Sequence, residues 1–66
     1  MKIFINGIEH LYKNDLTIEK LISELGYSNQ RIAIELNKEI ITRSEYANRL
    51  IVDGDKLEII KAIGGG

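Results

Sequence analysis

Side chains that commonly carry out chemistry are sparse in this chain. His10 is its only histidine, and with no second ligand-type residue at a helpful spacing it reads as an ordinary strand residue rather than a base or a metal ligand. The absence of cysteine leaves no thiol nucleophile, thiolate metal site or disulfide framework. Asp53-Gly54-Asp55 contains fragments of a calcium loop but not the full ligand set closing in a bidentate glutamate, so it reads as a turn. The carboxylates of Glu19, Glu24, Glu45 and Glu58 are spread along the chain, and no spacing singles out two of them as an acid and a base. A catalytic side chain, a metal and a cofactor are therefore not expected.

The remaining reactive group is the carboxyl of Gly66, at the end of Gly64-Gly65-Gly66. A terminal carboxylate is ionised at neutral pH and unreactive toward nucleophiles. Adenylation by ATP would give it a good leaving group, and attack by a sulfur donor would then leave a thiocarboxylate. Glycine suits such a tail because, with no Cβ, it can thread a narrow channel and allow another backbone to approach closely. Three extended residues reach ~10 Å, enough to enter an enclosed site while a folded body docks outside. Terminal glycines can also be plain disorder or a cloning remnant. Here, however, they follow directly on a strong strand with no polar linker.

The elements that would carry this tail are legible from periodicity. Lys2 to Asn6 alternates, with Ile3 and Ile5 on one face and Phe4 on the other, and Asn6-Gly7 separates it from a second alternating run, Ile8 to Tyr12. Asn-Gly suits a type I′ turn, whose central residues both need positive φ. Ile18, Leu21, Ile22 and Leu25 share one helix face, which places a helix at about residues 18 to 25. Thr17 can cap it, Leu16 and Leu21 can form a hydrophobic staple, and Gly26 can end it. Ile32, Ile34 and Leu36 make a third strand ending at a possible tight turn at Asn37-Lys38, with a short fourth strand over Glu39 to Thr42. Ser44 to Leu50 has Tyr46, Ala47 and Leu50 at helical spacing and a possible Ser44 cap, which predicts a single short turn or two of helix. After the Asp53-Gly54-Asp55 turn, Lys56 to Ile63 reads as a last strand.

A hairpin, a crossover helix and further strands predict an α+β fold: a mixed sheet with one main helix packed on one face. This is the β-grasp arrangement of ubiquitin-like proteins. Residues 1–63 would form the domain and residues 64–66 a flexible C-terminal tail. The helix would cover Ile3, Ile5, Leu57 and Ile59, leaving Phe4 and Ile60 on the far face. Phe4, Ile60 and Ala62 are then the expected partner-docking surface, although isolated exposed apolar residues are also ordinary.

Composition agrees with one small domain, since a chain of 66 residues buries only ~60% of its unfolded surface. It is 44% hydrophobic and 29% charged, outside the disordered range. The net charge of -1, from nine basic and ten acidic residues, is scattered along the chain, which argues against a nucleic-acid partner. The apolar runs are too short for a membrane span or a signal peptide, and a cytoplasmic location is expected.

Over essentially its whole length the chain resembles the ThiS-type sulfur carriers of thiamine biosynthesis. Asn37 to Ile41 is similar to that family's strand, turn and strand, and Arg43-Ser44-Glu45 to its following segment. Asp53-Gly54-Asp55, leading through Leu57 and Ile59 to Gly64-Gly65-Gly66, is similar to its close. Gly65 and Gly66 match the family's essential terminal pair. The resemblance implies that Gly66 is adenylated by a ThiF-like enzyme that uses ATP, converted to a thiocarboxylate by a sulfur donor protein, and used by a ThiG-like thiazole synthase. Gly65 and Gly64 would keep the tail slim. Lys38 stands where the family often has Gly, and Thr42 where Pro is common, departures expected to affect turn geometry only.

Three other readings stay open. The small subunit of molybdopterin synthase is a similar carrier, although its members tend to be longer. A ubiquitin-like modifier would join Gly66 to a target lysine, and a plain β-grasp binding module would have an inert tail.

Overall fold

The computed structural model describes residues 1–13 and 15–62. Lys2–Ile5 (β1) and Ile8–Leu11 (β2) form the expected hairpin, with Ile5 paired to Ile8 across the turn. Its central residues, Asn6 and Gly7, take φ of 50° and 81°. A type I′ turn requires positive φ at both positions.

Leu16–Thr17 (β3) leads into the main helix, Ile18–Glu24 (α1). Each end of α1 has the predicted cap. The Thr17 hydroxyl accepts from the Lys20 amide at 3.1 Å, and the Ile18 and Glu19 amides donate to the carbonyls of Arg49 and Tyr46. The N–H groups that a helix start would otherwise leave unpaired are thereby satisfied. Leu16 and Leu21 are both buried, as a staple across the cap requires. At the other end Gly26 takes φ 81°, its amide bonds Ser23 O, and the Tyr27 amide bonds Ile22 O. This pair of bonds is the Schellman motif.

Ile32–Leu36 (β4) and Glu39–Ile41 (β5) form a second hairpin, and Lys56–Lys61 (β7) closes the sheet. Leu50–Ile51 (β6) lies between them in sequence. The five-stranded order is β2-β1-β7-β4-β5, with β1 and β7 parallel and the other neighbours antiparallel. The last strand therefore sits at the centre of the sheet, between the first and the fourth. One mixed sheet with one main helix on one face is the β-grasp architecture.

Ile3, Ile5, Ile34, Leu36, Leu57 and Ile59 meet Ile18, Leu21 and Ile22 of α1 in a core completed by Leu16, Ile41 and Ile51. All of these are Ile or Leu, and burying each contributes roughly 1.5–3 kcal/mol. No described helix is long and apolar enough to cross a membrane.

Two expectations need correction. The expected turn is a single 3-10 turn over Arg43–Glu45, but Ser44 does not cap it and it does not reach Leu50, which belongs to β6. Thr42 begins that turn instead, with its amide and hydroxyl donating to Glu45 Oε2 at 2.9 and 3.0 Å. Thr42 thus makes two hydrogen bonds of which proline, with no N–H and no hydroxyl, could make neither. Leu50 is drawn out of helical spacing by pairing with Thr17 in a two-stranded β3-β6 sheet, which the sequence did not suggest. Each of those strands is only two residues long, too short to show an alternation. The closing strand was expected over residues 56 to 63; it is described as far as Lys61, and Ile63 lies outside the described residues.

Candidate functional site

The structure leaves one sheet face without a helix, and β7 runs through its middle toward the glycines. Strand alternation decides which side chains point there. Leu57 and Ile59 enter the core, whereas Lys56, Glu58 and Ile60 point outward. Ile60 is 56% exposed and lies directly opposite Ala33 of β4. Ile40, 71% exposed on β5, is opposite Glu35 and therefore diagonal to Ala33. Directly opposed Cβ atoms lie ~5 Å apart and diagonal ones ~7–8 Å, so Ile60, Ala33 and Ile40 form one apolar patch. Ala62, also exposed, continues it two residues further toward the tail.

Phe4 shares this face but not this patch. It is half-buried, level with Lys56 in the parallel pairing and opposite Glu9 on β2. Four residues of strand, ~13 Å, separate its level from that of Ile60. There it borders a shallow recess with Gly7, Lys56 and Glu58. Of the expected docking residues, Ile60 and Ala62 lie together, and Phe4 is set back along the strand. Ala33 and Ile40 were not anticipated. The alternation of their strands was visible, but which outward residues become neighbours depends on register between strands distant in sequence.

The end of β7 is held from both sides. On the β4 side, Ile32 pairs with Lys61, and the Ala62 amide donates to Arg31 O at 2.9 Å. On the β1 side, backbone pairing ends where the Asn6 amide donates to Leu57 O, because the chain then turns away. The Asn6 carboxamide takes over: Oδ1 accepts from the Ile59 amide at 2.8 Å, and Nδ2 donates to Ile59 O at 3.2 Å. On the helix side, the Lys61 ammonium sits 4.6 Å from the ring centroid of Tyr27, within cation–π range. Gly64, Gly65 and Gly66 lie outside the described residues, as does Ile63.

Elsewhere several carboxylates have structural partners. Asp53 Oδ1 accepts from the Lys2 amide at 2.6 Å. The buried Asp55 accepts from Asn37 Nδ2 at 2.9 Å and from the Val52 amide at 2.8 Å. Both carboxylates thus brace turns, as the sequence reading of this segment expected. His10 is half-buried opposite Ile3. Among the described residues no group of His, Asp and Glu is arranged to hold a metal ion. Hydrogen bonds from the Thr42 amide, and secondarily from its hydroxyl, hold the Glu45 carboxyl below its usual range, because they favour the ionised form. Burial, with a smaller contribution from Glu24, pushes the Tyr12 phenol up.

A cleft of about 390 Å³ opens on the helix side between α1, the Tyr27–Gln30 loop and the 3-10 turn, with Ile22, Ile32 and Tyr46 in its wall. It lies across the sheet from the Ile60 patch. Its side chains, among them Glu19, Ser23 and Arg43, present no nucleophile with an adjacent base, so it adds no reactive constellation.

Known proteins with this arrangement are close at hand. The chain is 47% identical over 66 residues to a thiazole synthase of Paramagnetospirillum magneticum, covering 100% of this chain and 20% of that protein. It thus spans about a fifth of the length of that relative. It is 35% identical over 63 residues to the sulfur carrier protein ThiS of Bacillus subtilis, covering 94% of this chain and 96% of that one. The crystal structure of a thiamine biosynthesis protein, ThiS, from Geobacter metallireducens superposes with a TM-score of 0.85 at 28% identity, covering 100% of both chains. The model of the ThiS family matches residues 3–66. With that match running from β1 through the glycines, and a whole-chain likeness to ThiS in both sequence and fold, this chain belongs to the ThiS family.

Proposed function

We propose that this protein is a sulfur carrier of thiamine biosynthesis in which the folded body, residues 1–63, docks and the tail, residues 64–66, reacts. The carboxylate of Gly66 would displace pyrophosphate from ATP on a ThiF-like adenylating enzyme, giving an acyl-adenylate. Sulfide-level sulfur delivered by a sulfur donor protein would then attack the acyl carbon and expel AMP, leaving a thiocarboxylate that supplies sulfur to a ThiG-like thiazole synthase. In this reading the carrier binds no cofactor and catalyses nothing itself, and its setting is the cytoplasm.

The observation that carries this reading is the placement of β7. The strand that leads into Gly64-Gly65-Gly66 is the central one of the sheet, and its exposed Ile60 lies beside Ala33 on the helix-free face. A partner gripping that face would receive the tail at a defined position, which matters because effective reaction depends on reacting atoms being held at ~3–3.5 Å. Membership of the ThiS family and the likeness to the Bacillus subtilis sulfur carrier support the same reading. A thiazole synthase as partner is supported by the Paramagnetospirillum magneticum relative, which holds a stretch resembling this chain within a protein of that name. Ile60 and Ala62, with Phe4 at the rim, remain the proposed docking residues.

The test is the intact mass after incubation with ATP, a ThiF-like enzyme and a sulfur donor, beside a variant lacking Gly65 and Gly66. The expected result is a gain matching replacement of one oxygen by sulfur, seen only with the complete tail. Conjugates larger than the free protein would favour a ubiquitin-like modifier. No gain, with the enzyme active on another carrier, would favour an inert tail. Competence with thiazole synthase rather than with the large subunit of molybdopterin synthase would separate the two carrier pathways.

A further inference from the structure

Two asparagines in this fold occupy the same kind of position and make different contacts. Asn6 and Asn37 each open a two-residue hairpin turn with positive φ, 50° and 51°. Each also reaches back to β7. Asn37 binds its start, accepting from the Lys56 amide at 3.0 Å and donating to Asp55 Oδ1. Asn6 binds its far half, engaging both the amide and the carbonyl of Ile59.

In a parallel pair, a residue of β7 donates to a carbonyl of β1 and accepts from an amide two residues further along. That second amide is missing here, because the chain reverses at Asn6-Gly7. One carboxamide supplies both groups, so Asn6 serves as a surrogate piece of β1 and carries the ladder past the end of the strand. Only four residues separate Ile59 from Gly64, where the tail begins. From the β1 side, this is the described contact nearest to the tail.

We infer that Asn6 is a positioning residue: its carboxamide fixes the direction of the end of β7, the strand that precedes the glycines in sequence, and so sets how readily an activating partner captures the C-terminus. The second part rests on the sulfur-carrier reading, whereas the clamp itself does not. Losing the clamp leaves the β7 backbone beyond Leu57 hydrogen-bonded on its β4 side alone. The strand end then samples more directions, and fewer encounters present the C-terminus correctly. Once the tail is bound, the chemistry belongs to the partner and is unaffected. The expected signature is therefore a rise in KM for the carrier at unchanged kcat.

Asn6→Gly separates the clamp from the turn, because glycine adopts positive φ freely and keeps the hairpin while removing only the carboxamide. Asn37→Gly is the matched control, with the same turn geometry and a comparable loss of side-chain hydrogen bonds at the opposite end of the strand. Two measurements are made on both variants: amide hydrogen exchange along β7, and steady-state adenylation by a ThiF-like enzyme. With two hydrogen bonds removed, Asn6→Gly should speed exchange at Ile59 to Ala62, relative to the rest of the sheet, by about tenfold. It should raise KM by a similar factor and leave kcat unchanged, whereas Asn37→Gly should lower the melting temperature without moving KM.

Unchanged exchange at Ile59 to Ala62 in Asn6→Gly would overturn the clamp. Faster exchange there with an unchanged KM, or equal KM changes in both variants, would overturn its positioning role. If the wild-type protein is not adenylated at all, the sulfur-carrier reading and with it the positioning role fail, and the clamp is judged on exchange alone.

Discussion

The carboxamide of Asn37 donates to the carboxylate of Asp55 at 2.9 Å, joining the β4-β5 turn to the turn that precedes β7. The other oxygen of Asp55 accepts from the Val52 amide, so one buried side chain closes its own turn and ties it to another. Replacing Asp55 with Ala leaves both donors without this partner. A typical hydrogen bond contributes about 0.5–1.5 kcal/mol net, so losing both gives an expected loss of about 1–3 kcal/mol. Urea unfolding should show a lower midpoint at an unchanged slope.

Lys38 takes φ 70° in the second position of the β4-β5 turn. A residue with a Cβ is strained in the left-handed region by about 1–2 kcal/mol, and glycine there loses more chain entropy on folding. The balance favours Lys38→Gly by about 0.5–1 kcal/mol. The melting temperature should rise by roughly 2–8 °C, given that 1 kcal/mol shifts a domain of this size by about 4–8 °C.

Ile60→Asp introduces a charge into the proposed docking patch at a position already more than half exposed. Exposed substitutions usually change stability by no more than about 0.5 kcal/mol, so the melting curve should barely move. Adenylation by a ThiF-like enzyme should fall by about tenfold or more, as expected when an apolar contact is replaced by a desolvated charge. Phe4→Asp, set back along the strand, should impair adenylation less. Normal turnover of the Ile60 variant would eliminate the patch as a docking site.

Acid should weaken the 3-10 turn. Because its hydrogen bonds to Thr42 lower the folded-state pKa of Glu45, the turn's contribution is present above the unfolded value and is lost as pH falls through the lower folded value. A titration from neutral pH to below the ordinary glutamate range should show the Thr42 and Glu45 amides responding together. Glu45→Gln should remove that transition. Its persistence in the variant would assign the acid response to another carboxylate.

Local order was enough to read much of this molecule. The Asn6-Gly7 turn, the helix from Ile18 and its Thr17 and Gly26 caps each follow from residues within a few positions of one another, where turn chemistry and a 3.6-residue period act directly. The glycines, the alternation of β7 and the scarcity of reactive side chains were equally visible, and together they single out the tail independently of the fold. Long-range pairing was not legible in that way. A two-residue strand shows no period, so the Leu16 and Ile51 pairing emerged only in three dimensions, and it pulled Leu50 out of the helix that its spacing suggested. The tertiary structure likewise decided that Ile60 meets Ala33 and Ile40 while Phe4 lies apart, because alternation assigns a face and only register assigns neighbours. The bond from Asn6 to Ile59 spans 53 positions; the sequence marked Asn6 as a turn residue, and only the closed sheet brought it to the strand that carries the tail.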